Sequence, residues 1–243
     1  MKKFFLNEFW LGYSLFEKLY MLVMLLVQVI VFIINPDSIL NIVAGISGVI
    51  SVVLCAKGKI SFYYIGFIQT ITYLVLSFQE HFYGEVIENI FYLVTMIIGI
   101  FIWKKNLALN DDGSTQIKPK KLTVKQYILA IITTIISTIL IGYALTLINS
   151  SQAYIDAATN VIAVIAQLLM IKGYKEQWIW WLVLNVLCLI MWFNAANYSM
   201  VFMYISWIIN CVYGWINYTK VAKKQSESQR LDKEDIKKDG CLI

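Results

Sequence analysis

One histidine, two prolines and a charged fraction of only 14% leave this 243-residue chain short of the materials from which soluble enzymes are built. A lone histidine, with no paired acids inside the apolar stretches and no Cys/His ligand spacing, supplies no acid–base or metal constellation. His81 falls in a polar connecting segment and is expected to be solvated. The four cysteines are not a disulfide framework, because Cys55, Cys188 and Cys211 lie inside apolar runs and Cys241 lies in a charged tail. Free thiols are expected. The Cys241-Leu242-Ile243 ending is one residue short of a prenylation box, so lipidation is discarded. What the chain has in quantity is 60% hydrophobic and 15% aromatic residues, with a mean hydropathy of +0.70. That balance excludes disordered and collagen-like chains and marks an integral membrane protein.

Eight apolar runs are long enough to span a bilayer: 18–34, 38–56, 60–79, 85–103, 124–148, 156–171, 178–194 and 199–219. They lack the period-2 alternation of membrane strands, which predicts an all-α fold. Lys2, Lys3, Lys18, Lys57, Lys59, the segment from Lys104 to Lys125, Lys172, Lys175 and the segment from Lys220 onward all fall on one side. The opposite segments, around Asn35-Pro36-Asp37, 79–85, 149–156 and 194–199, hold no basic residue. The positive-inside rule therefore predicts cytoplasmic termini. It also assigns the net charge of +5 to anionic headgroups of the lipid bilayer, with no nucleic-acid partner. The amino-terminal apolar stretch is read as a retained helix, since no small-x-small cleavage site follows it. The tail is expected to be disordered.

Shifting the chain by 115 residues aligns 41–105 with 156–220 without a gap, with 12 of 65 positions identical. Lys57-Gly58 falls on Lys172-Gly173 and Gly99 on Gly214. The shift crosses four helices, an even number, so the copies are parallel. The predicted organisation is an extra amino-terminal helix (1–37), a three-helix bundle (38–105), a loop with a linker helix (106–149), a second three-helix bundle (150–220) and a charged tail (221–243). Transporters built in this way bind substrate near the midplane between repeats.

No carboxylate sits at mid-helix, which argues against ion coupling and for facilitated diffusion. In the seventh span Trp178, Trp181, Asn185, Cys188 and Trp192 recur at helical spacing. Such a face offers stacking area and one amide, which suits a flat heterocycle. The alternative assigns Trp178 and Trp192 to interfacial belts and Asn185 to an interhelical hydrogen bond. The fourth span carries Asn89, Tyr92, Met96, Gly99 and Trp103 at the same spacing, with Tyr204, Trp207, Cys211, Gly214 and Tyr218 as the repeat counterparts. Gly99 and Gly214 are read as close-packing points. Gln69, Thr70 and Tyr73 in the third span add polar groups, with Thr70 the counterpart of Asn185.

Tyr83-Gly84-Glu85 followed by Asn89, Tyr92, Gly99 and Trp103, together with Glu176-x-Trp178-x-x-Trp181-x-x-x-Asn185, resembles the PnuC-type vitamin transporter family over helices 2 to 8. The resemblance implies a SWEET-like pair of parallel bundles in a homotrimer of the bacterial inner membrane, and uptake of nicotinamide riboside by facilitated diffusion. It further implies trapping by a cytoplasmic kinase, no cofactor, and a substrate site lined by Asn89, Tyr92, Trp181 and Asn185 with Trp178 and Tyr204 close by. One position departs: Met96 stands where many relatives have glutamine. Thiamine, riboflavin and deoxynucleosides, which related members carry, therefore remain alternative substrates. A non-transporting scaffold or sensor acting through the tail is a further alternative.

Overall fold

The computed structural model describes residues 6, 8, 9, 11–34, 38–79, 81, 83–109, 115–148, 152–194 and 198–239. Lys2, Lys3, Cys241 and the polar segments 35–37, 111–114, 149–151 and 195–197 lie outside the described residues. Eight long helices follow one another: α1 (Leu15–Ile34), α2 (Ile39–Ala56), α3 (Ser61–Gln79), α4 (Tyr83–Lys105), α5 (Val124–Leu147), α6 (Ala153–Ile171), α7 (Gln177–Asn194) and α8 (Tyr198–Asp239). Helices α1 to α7 are long and apolar enough to cross a membrane. The first half of α8 is apolar by sequence as far as Thr219. In hydrocarbon only a helix satisfies its own backbone within one segment. Short polar side chains start these helices: the Ser14 hydroxyl accepts from the Glu17 amide while the Glu17 carboxylate accepts from the Ser14 amide, and Thr123 and Gln126 form a second reciprocal box.

Two features differ from the sequence expectation. Residues 221–239, expected to be disordered, continue α8. This stretch has neither proline nor glycine, is rich in Lys, Gln and Glu, and gains an i,i+4 pair between Lys223 and Glu227 at 3.8 Å. The loop after α4 forms an antiparallel hairpin of β1 (Leu107–Leu109) and β2 (Thr115–Ile117), with Leu107 opposite Ile117 and Leu109 opposite Thr115.

The 115-residue repeat reappears as matched contacts. Within each half the first helix packs on the second and the second on the third, α2 on α3 on α4 and α6 on α7 on α8. Across the halves, α4 meets α6 and α8 meets α2. Each first helix ends in the same Schellman cap, in which Gly58 and Gly173 take φ of +74° and +75°. The amides of Gly58 and Lys59 donate to Cys55 and Leu54 carbonyls, and those of Gly173 and Tyr174 donate to Met170 and Leu169. Trp103 Nε1 donates to the Met170 carbonyl at 3.0 Å, and at the counterpart positions the Tyr218 hydroxyl donates to the Cys55 carbonyl at 2.9 Å. Gln167 Nε2 donates to Thr95 Oγ1 at 3.0 Å, and Asn210 Nδ2, from the counterpart of Thr95, donates to the Val52 carbonyl at 3.2 Å. Two pairs of reciprocal hydrogen bonds thus tie the bundles together.

At the lysine-bearing end the hairpin lies across this pseudo-twofold relation. Ile117 is almost fully buried; its amide donates to the Gly58 carbonyl at 2.9 Å, and the Lys120 amide donates to the Gly173 carbonyl at 2.8 Å. A Cβ on either glycine would meet the Ile117 side chain, at 3.1 and 2.7 Å. Ile117 joins a core of Leu54, Tyr63, Trp103, Met170, Trp178 and Tyr218 drawn from both halves. Nearby, α1 is fastened by a buried ion pair: Lys57 Nζ donates to both Glu17 oxygens at 2.7 and 2.9 Å. Tyr213 of α8 also donates to Glu17.

Candidate functional site

The candidate site is built on α3, α4, α7 and α8. At mid-depth Thr70 and Asn185, the repeat counterparts on α3 and α7, are both buried and both donate to sulfur. Thr70 Oγ1 lies 3.8 Å from Met96 Sδ, and Asn185 Nδ2 lies 3.3 Å from Cys211 Sγ. Met96 and Cys211 are counterparts as well, on α4 and α8. Met96 also reaches α3, its methyl standing 2.8 Å from where a Cβ on Gly66 would be. One helical turn from Asn185, Trp181 is half-buried and packs against both apolar cores of the protein.

Toward the end without lysines the lining becomes aromatic and acidic. The Tyr92 hydroxyl donates to Glu88, and Asn89 Nδ2 donates to the Glu85 carbonyl of its own helix at 2.7 Å. The Tyr204 hydroxyl lies close to Cys188 and Trp192. Tyr204 also packs edge-on against Trp207, ring centres 5.3 Å apart. Tyr73 and Cys188 lie within electrostatic range of Glu85 and Glu88, and Tyr204 lies near both Tyr73 and Tyr92. Side chains from four helices therefore share one electronegative region, rich in π faces.

Of the residues singled out from sequence, the structure brings Tyr73, Tyr92 and Tyr204 into this acidic region, and Thr70, Met96 and Asn185 into the sulfur-accepting pairs beneath it. Asn89 is buried on the same helix as Tyr92. Two candidates stand apart. Trp178 is buried at the lysine-bearing end, edge-on to Tyr218 with ring centres 5.6 Å apart and 2.5 Å from the Cβ position of Gly214. Gln69 packs over Gly48, its Cγ 3.3 Å from that Cβ position. The close-packing role expected of Gly99 and Gly214 holds: Tyr63 covers the first as Trp178 covers the second. The interhelical hydrogen bond considered for Asn185 is present, with Cys211 as its partner.

Sequence reasoning passed over Glu88, Thr95 and the pairing role of Cys211. The available signal was the repeat itself, since Cys211 and Thr95 align with Met96 and Asn210. A separate apolar groove between α5, α6 and α7, lined by Tyr127, Ile131, Thr134, Ile162, Trp180 and Val183, carries no acidic or basic side chain. Cys55, Cys188 and Cys211 are free thiols.

Comparison with known proteins places this arrangement. The family described as nicotinamide mononucleotide transporter matches residues 38–220. A protein of Haemophilus influenzae named Nicotinamide riboside transporter PnuC is 37% identical over 219 residues, covering 90% of this chain and 96% of that protein. A protein of the same name from Neisseria mucosa is 35% identical over 228 residues, covering 90% of this chain and 87% of that one. A solved structure described as the crystal structure of the Vitamin B3 transporter PnuC superimposes with a TM-score of 0.77 at 35% identity, covering 88% of this chain and 94% of its own.

Proposed function

The chain belongs to the nicotinamide mononucleotide transporter family, and from that premise we propose that it is a passive carrier importing nicotinamide riboside across a bacterial inner membrane, with both termini cytoplasmic. The observation that carries the reading is the match along nine-tenths of the chain to relatives named for that transport. The electronegative region agrees with it. Nicotinamide riboside bears a permanent positive charge on its pyridinium ring, and carboxylates beside aromatic faces suit a flat cation. In this reading Glu85 and Glu88 attract the substrate, Tyr92, Tyr204 and Trp181 offer ring faces, and Asn89, Thr70 and Asn185 orient its polar groups.

A passive carrier only equalises its substrate, so net uptake needs a sink inside. Phosphorylation by a cytoplasmic kinase supplies one, and the carrier works as a homotrimer in this proposal. The rocking of two bundles about their shared face alternates access to the site. Met96 favours a second reading, a carrier of the same fold for thiamine, riboflavin or a deoxynucleoside. Titration of the purified protein with all four compounds by calorimetry decides between them. Saturable binding of nicotinamide riboside alone is expected, and Trp181→Ala is expected to weaken it at least tenfold while the protein stays folded. Binding of another compound in its place refutes the substrate assignment.

A further inference from the structure

The two sulfur-accepted hydrogen bonds at mid-depth obey the repeat in both partners. Thr70 and Asn185 are counterparts, Met96 and Cys211 are counterparts, and all four side chains are 4% exposed. The internal duplication has thus kept one polar donor on the second helix of each bundle and one sulfur on the third. Sulfur is a weak acceptor, so neither bond is needed to satisfy a strong partner. Its consequence is directional. With Nδ2 of Asn185 turned to Cys211, Oδ1 is the amide's remaining polar atom, and among the described residues none donates to it. With the Thr70 hydroxyl hydrogen turned to Met96, the oxygen lone pairs remain. Both mid-depth groups are thereby presented as acceptors.

We propose that Cys211 is a positioning residue for substrate selection: by holding Nδ2 of Asn185 it fixes Oδ1 as an acceptor, so that the site takes a nucleoside whose ring carries a hydrogen-bond donor and rejects one whose ring carries a carboxylate. This rests on the transport reading above, and it adds to that reading which form of the pyridine ring is accepted. A carboxamide donates two N–H groups, whereas a carboxylate brings only acceptors against an acceptor and leaves it unpaired. A roll of the Asn185 amide by half a turn would invert the preference, and Cys211 is what opposes that roll.

The test is calorimetric titration of the full chain and its Cys211→Ala and Cys211→Ser variants with nicotinamide riboside and nicotinic acid riboside. The unmodified chain is expected to prefer the carboxamide at least tenfold. Cys211→Ala frees the amide, and it is expected to lower affinity for nicotinamide riboside about five- to tenfold and to narrow the preference between the two ligands. Cys211→Ser keeps an acceptor in place and should restore both. Its melting temperature without ligand, equal to that of the unmodified chain, shows that the fold is intact. Unchanged affinity and preference in Cys211→Ala overturn the proposal, as does equal loss in both variants, which would make the site one of packing alone. An unmodified chain that fails to bind nicotinamide riboside overturns the transport reading itself, and with it this inference.

Discussion

Removing Lys57 should destabilise the protein far more than removing Lys57 and the charge of Glu17 together. The pair is enclosed, with side-chain exposures of 11% and 10%; the carboxylate also accepts from the Ser14 amide at 2.6 Å and from the Tyr213 hydroxyl, and the ammonium lies over the Tyr13 ring, 5.1 Å from its centre. Breaking a buried ion pair from one side leaves an uncompensated charge and costs about 3–5 kcal/mol. Lys57→Met should therefore lose about 3 kcal/mol. Glu17→Gln keeps an oxygen for Ser14 and Tyr213 but leaves the ammonium unpaired, and should lose a similar amount. In the double variant neither charge remains, and the loss should fall to about 1 kcal/mol, a coupling of about 5 kcal/mol between the sites. Unfolding titrations in mixed detergent and dodecyl sulfate micelles measure all four corners of the cycle. Because the pair is buried, the coupling should survive a rise in salt that would screen a surface pair. Additive losses, or a Lys57→Met variant within about 1 kcal/mol of the parent, would refute the assignment of this pair as the fastening of α1.

The remaining predictions concern packing and the tail. A Cβ at Gly214 would lie 2.5 Å from the Trp178 indole, so Gly214→Ala should displace the ring, cost about 1–3 kcal/mol and shift the tryptophan emission; an unaltered spectrum and stability would refute the contact. Ile117 is 1% exposed between the two repeat glycines, so Ile117→Ala should cost about 2–5 kcal/mol by the same unfolding titration, and a loss below about 1 kcal/mol would refute its place in the core. Deleting 221–243 should leave uptake of labelled nicotinamide riboside by cells within about twofold of the full chain, since no site residue lies beyond Cys211; abolished uptake in a chain that still reaches the membrane would favour the scaffold reading.

Helix number and most limits were legible because hydrocarbon admits one solution for a long apolar segment, and the eight predicted runs coincide with the eight helices to within a few residues at every end but the last, where α8 runs on to Asp239. The repeat was legible through Lys57-Gly58 and Lys172-Gly173, where a left-handed cap restricts the residue type. The site was only partly legible. Trp178 shares a helix face with Trp181 and Asn185, yet the pseudo-twofold relation turns it onto Gly214 at the lysine-bearing end, and periodicity alone does not report depth. The sulfur pairs escaped notice because duplication preserved positions and roles while the side chains diverged, Thr70 to Asn185 and Met96 to Cys211. The hairpin and the helical tail escaped for opposite reasons. Leu107-Ala108-Leu109 is a short apolar patch and Ile117 a single apolar residue in a polar loop, and the core that Ile117 joins is distant in sequence. In the tail, charge outweighed helix propensity in a reading based on what can be buried.

The repeat extends one element further than the sequence indicated, and this changes what α1 and α5 are. Shifting α1 by 115 residues lays it over α5, and each packs on the first helix of the bundle that follows it, α1 on α2 and α5 on α6. They are matched struts, neither an appendage nor a mere connector. The junctions in front of them agree. Glu8, ahead of α1, accepts from the Ser61 amide at the start of α3 at 3.3 Å. Glu176, the counterpart of Ser61 at the start of α7, accepts from the Leu122 amide ahead of α5 at 3.1 Å. In both halves a buried carboxylate joins the strut's leading residues to the second helix of its bundle, carried by the strut side in one half and by the bundle side in the other. A relation preserved through an exchange of donor and acceptor sides is one held by geometry, since a buried amide at a helix start must be paired whichever segment supplies the oxygen. The asymmetry lies elsewhere, in Lys57, which is buried against Glu17, while its counterpart Lys172 is exposed. The first strut is thereby pinned by charge to α2 and, through Tyr213, to α8 of the other bundle, whereas the second is held to its own bundle by apolar contact and the Trp180 to Thr134 hydrogen bond at 3.2 Å. If the bundles rock against each other, the two struts must move differently, with α5 travelling with its bundle and α1 anchoring the lysine-bearing end of both.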